Sequence, residues 1–188
     1  MNLFAKIGRE FRLFQDILLV KKWTGDISPD SENLVADDYE RAADQFAGNI
    51  AFRFEGQSTT YAEFDEAASR FANWALGQGL KAGDCIALFM ENRPDYVAAW
   101  AGFAKIGVVT ALINHNLEGE ALAHCVNISD AKLIVTGAEQ DAAIAGAAGL
   151  FKDAPNVWTL GGKMGEDLGA ALAAASPQRP DRAHRAAL

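Results

Sequence analysis

The chain has 188 residues, half of them hydrophobic, and a formal net charge of -8. This length suits one domain, or one domain with appendages, and the composition excludes a disordered chain. No apolar run approaches the ~20 residues that span a bilayer, and the acidic balance argues against a general nucleic-acid binder, which needs Lys and Arg for phosphates. We therefore expect a protein that acts on small molecules and has no nucleic-acid partner.

Neither the cysteines nor the start of the chain indicates export. Cys85 and Cys125 form no CxxC pair and have no histidine at zinc-ligand spacing. A disulfide framework and a metal site are therefore not indicated, and we expect two reduced, buried thiols. The first residues lack the basic start, apolar centre and small-residue cleavage site of a signal peptide. The cytoplasm is the expected location.

Residues 2–22 predict an amphipathic helix with a basic face. Residues 6–22 carry a local charge of +3, and apolar side chains recur at three- and four-residue steps: Phe4, Ile7, Phe11, Phe14 and Leu18. Such a helix can rest on an anionic membrane surface, which would place the protein peripherally at the inner membrane face. Because amphipathic helices of soluble proteins mostly face their own core, we favour docking on the rest of the protein.

A helix and a small hairpin are predicted next. Ser31 can cap a helix over residues 33–46, and Gly48 can end it. Residues 50–61 then predict a hairpin, with Gly56 in the turn to supply a positive φ.

Thr60 begins the following helix. With Glu63 three residues later it predicts a capping box, and Gly77 and Gly79 end the helix. The expected buried face consists of Phe64, Ala67 or Ala68, Phe71 and Ala75.

Strands and helices alternate over the next part of the chain. We predict strands at residues 85–90, 108–113, 131–137 and 156–160, and helices at residues 95–106, 118–129 and 139–151. Runs that are apolar throughout suit strands buried on both faces, and helical crossovers make neighbouring strands parallel. The predicted fold class is α/β: an open, mostly parallel sheet with helices on both faces, preceded by the amphipathic helix and the small hairpin.

Residues 91–95 separate the first of these strands from its helix. Asn92 can cap the helix, Pro94 suits its first turn, and Asp95 complements its dipole. We interpret this polar segment as a corner of the fold and disfavour a ligand contact there.

The end of the chain predicts a helix and a tail. Residues 166–175 are rich in Ala and Leu, and Pro177 and Pro180 prevent the helix from continuing. The polar, Arg-rich residues 176–188 suggest a linker. A compact domain seldom ends on so polar a stretch, so we expect the chain to be part of something longer.

The glycine-rich segment "LGGKMGEDLG", residues 160–169, is the nearest candidate for a phosphate-binding loop. It departs from the Walker pattern because Met164 follows Gly162 and Lys163 where Ser or Thr is required. It also lacks the GxGxxG spacing. We interpret it as a flexible loop between a strand and a helix.

Asn114, His115 and Asn116 are the candidate ligand-facing residues. They directly follow a predicted strand, and ligands of open parallel sheets bind at the carboxyl ends of strands. We favour a structural turn, because Asn116 can cap the next helix and Asn114 tolerates turn conformations. No GxSxG, HExxH or Ser-His-Asp spacing occurs, so we assign no catalytic, cofactor-binding or metal-binding residue.

Three segments in order resemble one family: "RFEGQSTTYAEFDEAASRFANWAL", "GLKAGDCIALFMENRPDYVAAWAGFAKIGVV" and "ALINHNLEGEALAHCVNISDAKLIV". Residues 33–160 resemble the start of an adenylate-forming (AMP-binding) acyl-CoA synthetase. The segment "LINHNL", followed by Glu120, Leu122 and His124, is most similar to the fatty acid transport protein and very-long-chain acyl-CoA synthetase branch.

The predicted domains follow from this resemblance. We expect an N-terminal helix and loop over residues 1–30, part of the AMP-binding N-terminal domain over residues 31–175, and the tail over residues 176–188.

The resemblance implies a two-step reaction. A fatty acid carboxylate attacks the α-phosphate of ATP to give an acyl-adenylate and pyrophosphate, and the thiol of coenzyme A then displaces AMP. Mg²⁺, a Gly/Ser/Thr-rich loop and cationic side chains would stabilise the transferring phosphates. In the family this loop should follow the region where the sequence stops, and the catalytic lysine lies further on. We therefore expect the 188 residues alone to be inactive, with ATP, Mg²⁺ and coenzyme A implied only for the full-length family.

Two alternatives stay open. The chain can be a non-catalytic ligand-binding or interaction module that keeps the fold, or part of a ligase for another carboxylic acid. An incomplete sheet would also leave apolar strand edges and faces uncovered, which predicts aggregation or association.

Overall fold

The computed structural model describes residues 13, 15–21, 33–152 and 155–185. Contacts divide the chain into two compact units, Met1–Leu34 and Val35–Leu188. In the first unit residues 15–21 are helical, which confirms this part of the predicted amphipathic helix. Its other predicted apolar residues and the predicted Ser31 cap lie outside the described residues. None of the described helices is long and apolar enough to cross a bilayer.

The second unit begins with a helix and a hairpin and continues as alternating strands and helices. Its elements are α1 (Val35–Phe46), β1 (Ile50–Phe54), β2 (Gln57–Thr60), α2 (Tyr61–Gly77), β3 (Cys85–Phe89), α3 (Pro94–Lys105), β4 (Val109–Leu112), α4 (Gly119–Ile128), β5 (Leu133–Gly137), α5 (Asp141–Ala147), β6 (Asn156–Leu160), β7 (Glu166–Asp167) and α6 (Leu168–Ala174).

The hairpin and the start of α2 follow the local sequence closely. Strands β1 and β2 pair antiparallel around a two-residue turn in which Glu55 and Gly56 have φ values of 48° and 79°. Two positive φ values match the right-handed twist of the strands, and Gly56 meets this demand without steric cost. Thr60 and Glu63 form the predicted capping box: the Glu63 backbone N–H donates to Thr60 Oγ1 at 3.2 Å, and the Thr60 N–H donates to Glu63 Oε2 at 2.8 Å.

The main sheet has the strand order β4-β3-β5-β6-β7, and each adjacent pair is parallel. The chain leaves β3 for β4 on one side and then returns past β3 to β5 on the other side. This reversal makes the space between the carboxyl ends of β3 and β5 the topological switch point of the sheet.

Helices cover both faces of the sheet, as predicted. Along β3, Ile86 and Leu88 join one core cluster, whereas Ala87 and Phe89 join another. The first cluster packs against α2, α3 and α6, and the second against α4 and α5. These four side chains are fully buried. Burying a Leu, Ile or Phe side chain contributes about 1.5–3 kcal/mol. The alternating side chains of β3 therefore stabilise the packing of both helical layers against the sheet.

Helices α2 and α3 pack closely at Gly102. A Cβ atom built there would collide with the carbonyl oxygen of Ala68 and lie 2.7 Å from the Cβ of Phe71. Only glycine therefore fits at this crossing.

The structure corrects three details of the predicted sheet. Strand β4 is at the edge, with Val109 and Leu112 about half exposed, so the expectation of strands buried on both faces is wrong for β4. Helix α3 has Arg93 at its N-cap and no side-chain cap bond, so the predicted Asn92 cap is wrong, although Pro94 and Asp95 occupy the first turn as expected. Strand β7 was not predicted, because its two residues, Glu and Asp, form no apolar run.

The helix predicted over residues 139–151 is shorter than expected. Helix α5 covers Asp141–Ala147, and 3-10 turns flank it at Ala138–Gln140 and Ala148–Leu150.

The described part of the tail differs from a free linker. Residues 176–185 contact α1 and α2 through hydrogen bonds and ion pairs of their polar side chains and backbone. These contacts could not be predicted from the composition of the tail, because their partners lie more than a hundred residues away in the sequence.

Candidate functional site

Polar residues of three loops meet where strands β3, β5 and β6 end. In an open parallel sheet this edge is where ligands bind, with the strongest preference for the switch point between β3 and β5. The loop after β3 leads into α3 on one face of the sheet, and the loop after β5 leads into α5 on the other. The two loops therefore form the walls of the candidate site.

Glu139 bridges these walls. Its carboxylate accepts a hydrogen bond from the Glu91 backbone N–H at 2.9 Å and one from Arg93 Nη1 at 3.1 Å. The side chains of Arg93 and Glu139 are each only 23% exposed. Arg93 Nε also lies 3.4 Å from Asp95 Oδ2. The carboxylate at the switch point is thus held by a cation and a backbone donor, and it joins the loop after β3 to the loop after β5.

Asp141 holds the glycine-rich loop after β6 in the same way. Its carboxylate accepts hydrogen bonds from the backbone N–H groups of Lys163 at 2.7 Å and Met164 at 3.3 Å. The φ values of Gly161 and Gly165 are 77° and 117°, which side chains other than glycine rarely adopt. The segment lies between β6 and the short strand β7 that precedes α6, and Asp141 binds two of its backbone N–H groups. Its flexibility stays a prediction.

This arrangement decides what the glycine-rich loop can do. Converging backbone N–H groups are a binding site for anions, including phosphate. Here the anion is the side chain of Asp141. A phosphate group would have to displace this carboxylate and would meet its negative charge, so the geometry disfavours phosphate binding.

The candidate residues Asn114, His115 and Asn116 follow β4, one strand away from the switch point. The Asn116 backbone N–H donates to Asn114 Oδ1 at 3.0 Å, and His115 Nε2 lies 3.4 Å from Asn116 Nδ2. These bonds form the predicted structural turn. The N-cap of α4 is Glu118, so the expectation that Asn116 caps this helix is wrong. A contact of the three residues with ligand stays a prediction.

The cysteines are free thiols, as expected, but both are only partly buried, so the expectation that they are buried is wrong. Burial raises the pKa of the Cys85 thiol, which lowers its reactivity near neutral pH. Within the described residues, no group of three or more His, Cys, Asp or Glu side chains could hold a metal ion.

Sequence reasoning missed Glu139 and Asp141. The available signal was their position, since both acidic residues follow β5 within four residues of its end. What the sequence could not show is that β5 lies beside β3 and β6, which brings the acceptors to the donors.

The AMP-binding enzyme family model matches residues 39–184. Long-chain fatty acid transport protein 1 of Rattus norvegicus is 45% identical over 86 residues, which cover 46% of this chain and 13% of that protein. Medium/long-chain-fatty-acid–CoA ligase FadD6 of Mycobacterium tuberculosis (strain ATCC 25618 / H37Rv) is 26% identical over 117 residues, or 62% of this chain and 20% of the ligase. The chain thus aligns with a fifth or less of the length of these curated relatives.

Solved structures show the same fold. The anthranilate CoA ligase AuaEII in complex with anthranoyl-AMP superposes with a TM-score of 0.72 at 17% identity, over 78% of this chain and 29% of that one. The N-terminal domain of FACL13 from Mycobacterium tuberculosis gives a TM-score of 0.71 at 22% identity, over 79% of this chain and 38% of that one. At these identities the likeness establishes the fold alone. Because the family model covers well over half of the sequence, the chain belongs to the AMP-binding enzyme family.

Proposed function

We propose that the chain forms part of the N-terminal domain of a fatty acyl-CoA synthetase. Such an enzyme uses ATP to convert a long-chain fatty acid into an acyl-adenylate and transfers the acyl group to coenzyme A. The identity of 45% to a long-chain fatty acid transport protein over 86 residues is the observation that carries the proposal. The name of the mycobacterial ligase points to the same substrate class.

In this proposal the chain supplies scaffold and the phosphate chemistry belongs to other residues. Two arrangements at the described sheet edge that could attract an anion already hold one: Arg93 binds Glu139, and the glycine-rich loop binds Asp141. Transfer at the α-phosphate of ATP needs positioned cations and Mg²⁺. A longer protein would provide these groups, together with the sites for ATP and coenzyme A.

The DNA downstream of codon 188 tests this assignment. We expect it to encode a loop rich in Thr, Ser and Gly followed by Lys, in frame or just past a frameshift. A stop codon with no related sequence beyond it would contradict the proposal and would favour a non-catalytic module that has kept the fold.

The acid is tested with the extended protein. We expect long-chain fatty acids to support exchange of pyrophosphate into ATP, and aromatic acids such as anthranilate to support little. A preference for aromatic acids would still support a synthetase, but it would contradict the assignment of long-chain fatty acids as its substrates.

Although the sequence alone favours docking on the rest of the protein, we also propose that the helical residues 15–21 contact an anionic membrane surface. Five apolar side chains are each about half exposed: Leu13, Ile17, Leu18, Leu19 and Val20. Residues 6–22 carry a local charge of +3. Apolar side chains beside cations favour the interface of an anionic bilayer.

Sedimentation with vesicles tests this contact. The protein should bind vesicles of phosphatidylcholine with phosphatidylserine more strongly than phosphatidylcholine alone, and Leu18→Asp should weaken binding more than the control Leu150→Asp. Equal binding by both variants, or none by the unmodified protein, would support docking of the helix on its own chain instead.

A further inference from the structure

The last described residues, 176–185, are fixed to α2 by its polar side chains. Asn73 Nδ2 donates to the carbonyl oxygens of Ser176 at 2.8 Å and Gln178 at 2.7 Å. One turn earlier, Arg70 Nη1 donates to the carbonyl oxygen of Ala175 at 2.6 Å. The backbone at the end of α6 is thereby directed along α2, and we call residues 176–185 the strap.

Two arginines of the strap then bind carboxylates of α1 and α2. Arg179 donates from Nε to Asp65 Oδ2 at 2.7 Å and from Nη2 to Asp44 Oδ1 at 2.7 Å. Arg182 binds Asp37 through two of its N–H donors, from Nε to Oδ1 at 2.9 Å and from Nη2 to Oδ2 at 3.1 Å. Paired donors of this kind give geometric specificity that a lysine cannot supply.

Arg185 is the buried end of the strap. Its side chain is 3% exposed, and Nη2 lies 2.6 Å from Glu40 Oε2. Its Cα would lie 3.3 Å from a Cβ built on Gly107, so the strap backbone also packs closely against the turn after α3.

Charge balance explains why an arginine-rich segment fits here. Four carboxylates of α1 and α2 form an acidic docking surface: Asp37, Glu40, Asp44 and Asp65. The ammonium group of Lys105 binds two of them and lies 2.8 Å from Glu40 and 2.7 Å from Asp65. The strap supplies the three arginines that balance the remaining negative charge. Without the strap, these four carboxylates on two packed helices would lose their three arginine partners, and their mutual repulsion would favour an arginine-rich segment.

We propose that the strap is a detachable segment that docks on this acidic surface and opens as one unit while the sheet stays folded. Most of its attachment is electrostatic and partly exposed, whereas the sheet is held by buried apolar side chains. Opening therefore responds to salt and exposes an acidic surface that recognises arginine-rich sequence. The occupant of that surface is the strap of the same chain.

Hydrogen exchange of the full chain, followed by mass spectrometry, tests the proposal. Amides of the strap should exchange faster than those of β3 and β5, and raising NaCl from about 0.05 M to about 0.5 M should speed only the strap, by about fivefold. Strap amides that exchange only on global unfolding, or that ignore salt, would overturn it.

Two variants separate the ion pairs from general charge effects. Asp44→Asn removes a partner of Arg179 and should speed strap exchange about two- to fivefold. Glu66→Gln removes an exposed charge of α2 that lies outside the acidic docking surface, and it should leave strap exchange unchanged. Equal effects of the two variants would overturn the proposal. Near-UV circular dichroism of both variants should match that of the unmodified chain, and the salt titration tests the strap without any substitution.

Discussion

Lys105 ends α3 with its ammonium group almost completely buried. Its side chain is 1% exposed and binds Glu40 and Asp65. The sequence predicted only that this residue belongs to a helix. Its burial could not be predicted, because both partners lie at least forty residues away and burial of a Lys side chain depends on such partners.

Lys105→Met should destabilise the protein. Methionine keeps much of the side-chain volume but leaves two half-buried carboxylates without this cation, so we expect a loss of about 3 kcal/mol in the free energy of unfolding. Arg41→Met is the matched control, because the ion pair of Arg41 with Asp38 is exposed and contributes at most about 1 kcal/mol. Urea unfolding of both variants measures the difference, and equal losses would contradict the role of Lys105.

Glu40 should make stability depend on acid. Burial raises the pKa of its carboxyl, but hydrogen bonds from Arg185 and Lys105 outweigh this and hold the pKa below its ordinary value of 4.5. A carboxylate with a lowered pKa stabilises the folded state above the unfolded-state pKa, and this stabilisation is lost as the pH falls through the folded-state pKa.

The test compares the unmodified protein with Glu40→Gln. The difference in their free energies of unfolding should be largest at about pH 6 and should shrink towards about pH 3. Glu66→Gln serves as the exposed control. A difference for Glu40→Gln that stays constant with pH would show that its charge is not what stabilises the fold.

The crossing of α2 and α3 depends on Gly102. Gly102→Ala should cost about 1–3 kcal/mol, because the added methyl group forces the backbone of Ala68 and the side chain of Phe71 to shift. This cost is expected despite the better helix propensity of alanine.

Gly146→Ala provides the control for this prediction. It is also a helical glycine, in α5, but apart from its chain neighbours and its own helix backbone no atom lies within 4 Å of a Cβ built there. The substitution should stabilise the protein by up to about 1 kcal/mol. Thermal unfolding of both variants measures the contrast, and similar shifts in the same direction would contradict the close approach at Gly102.

Local sequence predicts the elements whose signals are local. The Thr60 and Glu63 capping box, the Gly56 turn and the apolar strands β3 and β5 are all confirmed. Strand β7 and the strap were missed because they depend on partners distant in the sequence, namely β6 and the acidic faces of α1 and α2. Long-range pairing leaves no periodic pattern in the residues that take part.

The sequence predicted the architecture of the sheet but not its strand order. The candidate site was therefore assigned to the residues after β4, whereas the order β4-β3-β5-β6-β7 places the switch point after β3 and β5. The crossover connections determine which strands become neighbours in the sheet, and the apolar runs of the sequence do not specify the direction of those connections. The polar segment at residues 91–95 consequently gains importance, since Glu91 and Arg93 contact Glu139 across the switch point.

We have proposed that this chain is scaffold of a fatty-acid-activating ligase and that other residues carry out the phosphate chemistry. The most direct measurement is exchange of labelled pyrophosphate into ATP by the purified 188-residue protein, with and without a long-chain fatty acid, after near-UV circular dichroism has shown packed aromatic side chains. We predict no exchange above the protein-free control. Saturable exchange that requires both the fatty acid and Mg²⁺ would contradict this proposal, because these residues would then carry out adenylation themselves.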